Sequence, residues 1–120
     1  MKFSPDGRKI GAVYNFSGKE LFDFDAATGI VSNLVNIPDS GGVACEFSSD
    51  GSKFYAVGGE SRVLYQWDLC AATVSGILNS KDTVGVCTAS AYAIQVLQLG
   101  PDEKIYATHP FTACFPAYSN

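Results

Sequence analysis

Histidine occurs once in this 120-residue chain, at position 109, and that scarcity removes several chemistries at the outset. One His cannot build a multi-histidine metal site or the clustered-histidine centre of a lyase. The four cysteines, at positions 45, 70, 87 and 114, stand no closer than 17 residues apart, so the Cys-x-x-Cys spacing of zinc sites is missing. The 8 Lys and Arg residues are scattered singly in a chain of net charge −4, which excludes the basic footprint of a nucleic-acid binder. No run of about 18 apolar residues occurs, so no membrane-spanning helix is expected. Gly41-Gly42 and Gly58-Gly59 have no following Lys-Ser/Thr and helix, which rules out a phosphate cradle. A helical stripe is missing too: residues 89–97 come nearest, but they hold Val and Ile where a strand is called for. Only Met1-Lys2-Phe3 precedes the first turn, with no apolar signal segment, so the chain reads as beginning partway through a larger architecture.

What the sequence has is a repeat. Hydrophobic residues make up 47% and charged residues 17%, enough for a single domain with a core. Phe3-Ser4-Pro5-Asp6-Gly7 returns 44 positions on as Phe47-Ser48-Ser49-Asp50-Gly51, and weakly, 52 further, as Leu99-Gly100-Pro101-Asp102-Glu103. Each copy continues in step, through Lys9-Ile10-Gly11-Ala12-Val13, Lys53-Phe54-Tyr55-Ala56-Val57 and Lys104-Ile105-Tyr106-Ala107-Thr108. Leu21-Phe22-Asp23-Phe24-Asp25 matches Leu64-Tyr65-Gln66-Trp67-Asp68 at an offset of 43. Ser, Pro and Gly fall where a type I turn prefers them. Glu103 stands where the other copies have Gly, at a cost of roughly 1 kcal/mol if the backbone stays left-handed there.

The segments around each turn are short, rich in Val, Ile, Tyr and Phe, and punctuated by Gly, Asp, Asn and Ser. They are expected to form antiparallel strands: an innermost one at 42–47 and 93–99, a second at 9–14 and its copies, and a third at 20–25 and 62–69. The outermost strand is expected at 29–37 and near 76–80. A four-stranded unit of about 40–45 residues is the size of a propeller blade. The fold class expected is therefore all-β, a partial β-propeller of two four-stranded antiparallel blades plus the first hairpin of a third. The repeat units are about 1–41, 42–92 and 93–120, with the pattern dissolving after His109-Pro110.

The Phe-Ser-Pro-Asp-Gly turn, the Lys-Ile start and the aromatic-Asp close resemble WD-type and TolB-like propeller repeats. A narrower likeness runs through Lys2–Gly7, Phe22-Asp23-Phe24-Asp25 with Ala27-Thr28-Gly29, and Val31-Ser32-Asn33. It continues in Leu64–Leu69, Leu97-Gln98-Leu99-Gly100-Pro101-Asp102 and Lys104-Ile105-Tyr106-Ala107. Together these resemble the propeller region of large secreted or surface proteins of Bacteroidetes, the group with type IX sorting signals and gliding-motility-associated C-terminal domains. The resemblance implies an extracellular or cell-surface setting. Members carry an export signal before the propeller and sorting or adhesive modules after it, and neither is seen in this chain.

The candidate chemistry reduces largely to structure. Asp6, Asp50 and Asp102 recur in every copy, as turn residues do, and Asp25 and Asp68 end third strands. Asp23 and Glu46 are isolated carboxylates that would have to face each other for acid–base work. Cys45 and Cys70 are expected as free, buried small residues in strands, although an even count permits disulfides in three connectivities. Phe22, Phe24, Tyr55, Tyr65, Trp67 and Tyr106 repeat at matching strand positions and are expected to pack between units rather than to stack a glycan. No catalytic, cofactor or metal residue is singled out.

The function expected is non-enzymatic binding or scaffolding for a protein or glycan, met by loops 15–19, 38–42 and 58–62. Alternatives are a fragment of a lactonase-like propeller hydrolase or a purely architectural spacer. Since about 4–8 blades close a ring, the chain is expected either to complete one as a homo-oligomer or to need the missing blades of a longer parent.

Overall fold

The computed structural model describes residues 1–87, 94–108 and, as backbone, Phe115–Ser119. Within these the chain is mostly β, in three antiparallel sheets, none of which closes on itself. The first sheet is a meander of β1 (Lys2–Phe3), β2 (Lys9–Tyr14), β3 (Gly18–Asp25) and β4 (Ile30–Ile37). The second repeats it with β5 (Cys45–Phe47), β6 (Lys53–Gly58), β7 (Val63–Asp68) and β8 (Asp82–Val86). The third has β9 (Val96–Leu99), β10 (Lys104–Thr108) and β11 (Phe115–Ser119).

Two expectations need correction. The outer strand of the second sheet is β8, whereas residues 76–80 belong to a short helix, α1 (Val74–Asn79), and its C-cap. Thr73 caps α1, its Oγ1 accepting from the Gly76 N–H at 3.0 Å. Six residues are too few to write a 3.6-residue stripe, so the periodicity was silent. The third unit also goes beyond a hairpin, since β11 pairs with β10 at the sheet edge. Pro116 lies in this edge strand, where a missing N–H is tolerated.

The Ser-x-Asp-Gly turns owe their shape to a shared side-chain network. Ser4 Oγ accepts the Lys9 N–H at 2.9 Å and donates to Asp6 Oδ1 at 2.6 Å, while the Gly7 N–H reaches the Ser4 carbonyl at 2.9 Å. Ser48, Asp50, Lys53 and Gly51 repeat this, with Ser48 fully buried. Gly7 and Gly51 have φ of +70° and +72°. In the third copy Gly100 supplies no hydroxyl, and Asp102 instead accepts from the Tyr106 hydroxyl at 2.8 Å. Glu103 nevertheless holds φ at +64°, its N–H bonded to the Gly100 carbonyl at 3.1 Å. The turn has kept its left-handed residue without the glycine that suits it. Glu103→Gly is therefore expected to stabilise the chain by about 0.5–1 kcal/mol, because the relieved strain exceeds glycine's extra unfolded-state entropy. A urea midpoint that stays put or falls would refute this.

The ladders revise one repeat equivalence. Ile10 lies opposite Phe22, and Phe54 opposite Trp67; Lys9 lies opposite Asp23, and Lys53 opposite Asp68. The structural counterpart of Trp67 is thus Phe22, not Phe24, and that of Asp68 is Asp23, a shift of two residues from the motif alignment. A slip of two leaves every side chain on its own face, so apolar patterning cannot detect it.

The sheets stack face to face in sequence order. Phe47, Phe54, Ala56 and Trp67 on one face of the second sheet share a core with Leu21 and Ile37 of the first. Ile77 and Leu78 of α1 pack against its margin. Tyr55, Val57 and Leu64 on the opposite face share a second core with Leu97, Ile105 and Ala107 of the third sheet. Gly11 makes the first contact fit: a Cβ there would lie 2.4 Å from Phe54 Cε2.

Candidate functional site: the loop end and the inner strands

The three loops expected to meet a ligand do converge. Residues 15–17 join β2 to β3, 38–44 join β4 to β5, and 59–62 join β6 to β7. The Gly41 N–H donates to the Asn15 carbonyl at 3.0 Å, and the Gly42 N–H to Ser61 Oγ at 3.1 Å. Five residues here hold left-handed backbone: Gly41 (+86°), Gly42 (+81°), Gly59 (+54°), Glu60 (+57°) and Ser61 (+64°). Two adjacent non-glycine residues in that region represent stored strain, which persists only where surrounding structure enforces it. Phe16 stands at the tip, 91% exposed.

Beneath the loops lies a feature the sequence reading missed. Lys19 is completely buried, and its ammonium donates to Asp39 O at 2.6 Å, Asp39 Oδ2 at 3.1 Å and Gly41 O at 3.4 Å. Three protons meet three oxygens, so the ammonium staples the β4–β5 crossing to β3. Burial pushes the Lys19 pKa down, and the Asp39 carboxylate opposes that shift. Lys81 approaches the same Oδ2 at 3.5 Å while sitting 3.8 Å above the Tyr65 ring. The expected ligand loop over 15–19 is therefore corrected at its end: Gly18 and Lys19 already belong to β3, and Lys19 is buried rather than offered to a ligand, because its acceptors arrive from the 38–44 loop.

The opposite end of the sheets spends its carboxylates on turns. The Ser4 hydroxyl holds Asp6 below its usual pKa, and the Ser48 hydroxyl, with the N–H and hydroxyl of Ser52, brings Asp50 to about 2. Asp102 is lowered chiefly by the Tyr106 hydroxyl. Asp25 accepts the Ala27 N–H and Asp68 the Cys70 N–H, both at 2.9 Å. An open groove of about 680 Å³ lies beside these turns on the first sheet, lined by Asp6, Arg8, Lys9, Asp23, Phe24 and Asp25.

Asp23 and Glu46 are not brought together. Asp23 binds Lys9 Nζ and Asn33 Nδ2, each at 2.8 Å, and Lys9 chiefly lowers its pKa. Glu46 is buried where the innermost strands meet. Its Oε1 accepts the Phe47 N–H at 3.0 Å, and its Oε2 accepts the Leu99 N–H at 3.1 Å and pairs with Lys2 Nζ at 3.1 Å. Lys2 Nζ also donates to Gln98 Oε1 at 2.9 Å. Lys2, Glu46 and Gln98 occupy the same place in β1, β5 and β9, so the polar cluster ties all three sheets along one line. A cavity of about 100 Å³ beside it is lined by Met1, Lys2, Ala44, Cys45, Gln95 and Leu97 among others.

Cys45 is free and buried as expected, and burial raises its thiol to about 11, far from a reactive thiolate. Cys70 is free but exposed, which corrects the expectation of a buried strand residue: Asp68 has already turned the chain there. Cys87 is buried and disulfide-bonded. Cys114 and His109 lie outside the described residues. Tyr55 and Trp67 pack between sheets in separate cores and Tyr65 borders that of Trp67, whereas Phe22 and Phe24 are half-buried and Tyr106 is exposed. Among the described residues no group of three or more His, Cys, Asp or Glu could hold a metal ion. None of their helices is long and apolar enough to cross a membrane. No protein-family model matches the chain, and no curated protein matches it significantly.

Proposed function

We propose that the three sheets are successive blades of a β-propeller, and that the chain is a non-enzymatic module binding a protein or glycan outside the cell. The observation that carries this reading is the loop end. Three connections, the outer two each hydrogen-bonded to the 38–44 connection that Lys19 staples and together bearing strained backbone, offer a rigid surface with Phe16 at its tip. Rigid loops with an exposed aromatic are the usual material of a binding face. The face-to-face stacking with short inner strands in contact supports the blade reading.

The test is a glycan array and a displayed-peptide library, each probed with the whole chain and with a variant whose residues 15–17 and 59–61 become Gly-Ser. Ligands selected by the whole chain should bind the variant at least about tenfold more weakly, with Phe16→Ala alone reproducing much of the loss. Binding unchanged by both alterations would defeat the assignment. Hydrolysis of lactones by the chain would overturn the non-enzymatic reading.

A further inference from the structure

The first and third sheets each present an uncovered face whose counterpart elsewhere in the chain is buried. On the first sheet these residues are Phe3, Phe22 and Phe24, with Val31 opposite Phe24, set around Ile10, which is itself only 7% exposed. Their counterparts Phe47, Phe54 and Trp67 are at most 1% exposed, covered by the sheet before them, whereas Phe3 is 47% and Val31 50% exposed. On the third sheet the uncovered face carries Tyr106 and Thr108, with Val96 opposite Thr108. Their counterparts Tyr55 and Val57 are sealed against the sheet that follows, whereas Tyr106 is 42% and Val96 48% exposed.

These two faces are the halves of a contact the chain makes twice within itself, and side-chain size says which half fits which. At one position the three sheets carry Gly11, Tyr55 and Tyr106. Glycine meets the large Phe54 ring, while Tyr55 shares its core with the smaller Ile105. Tyr106 therefore calls for an Ile, which the first sheet carries as Ile10, 7% exposed between Phe3 and Phe22 in the ladder. Volume at a packed contact is conserved in this way because both voids and overlaps are costly. We propose that the Tyr106 face of one chain docks on the Phe3–Ile10 face of a second copy, head to tail, repeating the contact of the second sheet with the third. A contact of this kind joins two different surfaces, so it can close a ring. The docking does not depend on the loop end taking a ligand.

The test is solution mass by size exclusion with light scattering, on the whole chain and on Phe3→Glu and Val96→Glu, both at exposed positions. The wild type is expected at twice its 12.7 kDa or a higher multiple. Each variant alone should fall to the single-chain mass with an unchanged circular dichroism spectrum. Their equimolar mixture should return to twice that mass, because each variant keeps the half that the other has lost. Val31→Lys replaces Phe3→Glu should the latter fail to fold. A wild-type monomer at high micromolar concentration would overturn the proposal and leave the faces to further sheets of a longer polypeptide. Persistent association of Val96→Glu alone would overturn it in favour of like-to-like pairing of the first sheet.

Discussion

Trp67→Ala is expected to lower the stability of the chain by about 3–5 kcal/mol, in the range of large aromatic truncations in a core. Trp67 is 1% exposed, and its ring lies 6.0 Å from Phe54 and 6.1 Å from Tyr65, centroid to centroid. It stands on the face that the second sheet turns to the first, beside Leu21 and Ile37, with Ile77 and Leu78 of α1 against its margin. A cavity here has strands on either side, whose backbones are held by ladders and cannot collapse to fill it. Urea denaturation followed by tryptophan-independent circular dichroism should show the midpoint falling at an unchanged slope. A cost below about 1 kcal/mol would mean that the first two sheets do not share this core.

Gly42→Ala should be comparably damaging, at about 2–5 kcal/mol, for a different reason. Its φ of +81° charges any L-residue about 1–2 kcal/mol. In addition, the new Cβ would fall 2.2 Å from the Val57 carbonyl oxygen and 2.6 Å from its carbon. Both are backbone atoms of β6, so relief requires moving a strand or the β4–β5 crossing, which adds about 1–3 kcal/mol. Gly29→Ala makes the control: φ is +73°, but nothing lies within 4 Å of its Cβ, so only the conformational cost of about 1 kcal/mol should appear. Equal losses at the two glycines, read from urea midpoints, would show that the close approach to Val57 is not maintained.

The parts of the fold that were legible are those written by neighbouring residues. Strand β2 runs over 9–14 as expected, and β1 is the two-residue stub implied by a turn so near Met1. The Ser-x-Asp-Gly turns were readable because each hydrogen bond in them spans five residues or fewer. The same locality marked Asp6, Asp50 and Asp102 as turn carboxylates, and the loop positions followed from strand order alone.

The parts that were not legible depend on partners far along the chain. Asp23 and Glu46 looked equally isolated, yet one sits on a half-exposed Lys9 pair and the other is buried among three sheets. Cys45 and Cys70 could not be told apart until Asp68 turned the chain between them. The Lys19 staple and the face pairing of Gly11 with Phe54 had no pattern to announce them. By itself the sequence determined the repeat, the turn chemistry, the antiparallel sheets and the scarcity of histidine. Only the tertiary structure decided the register of β3 and β7, the burial of Lys19 and Glu46, and which faces remain open. The reason is periodicity: alternation by two and turns of four residues are local and survive in sequence. Side-chain volume and charge pairing are settled between residues tens of positions apart, as in the bonds from Glu46 to Leu99 and from Lys2 to Gln98.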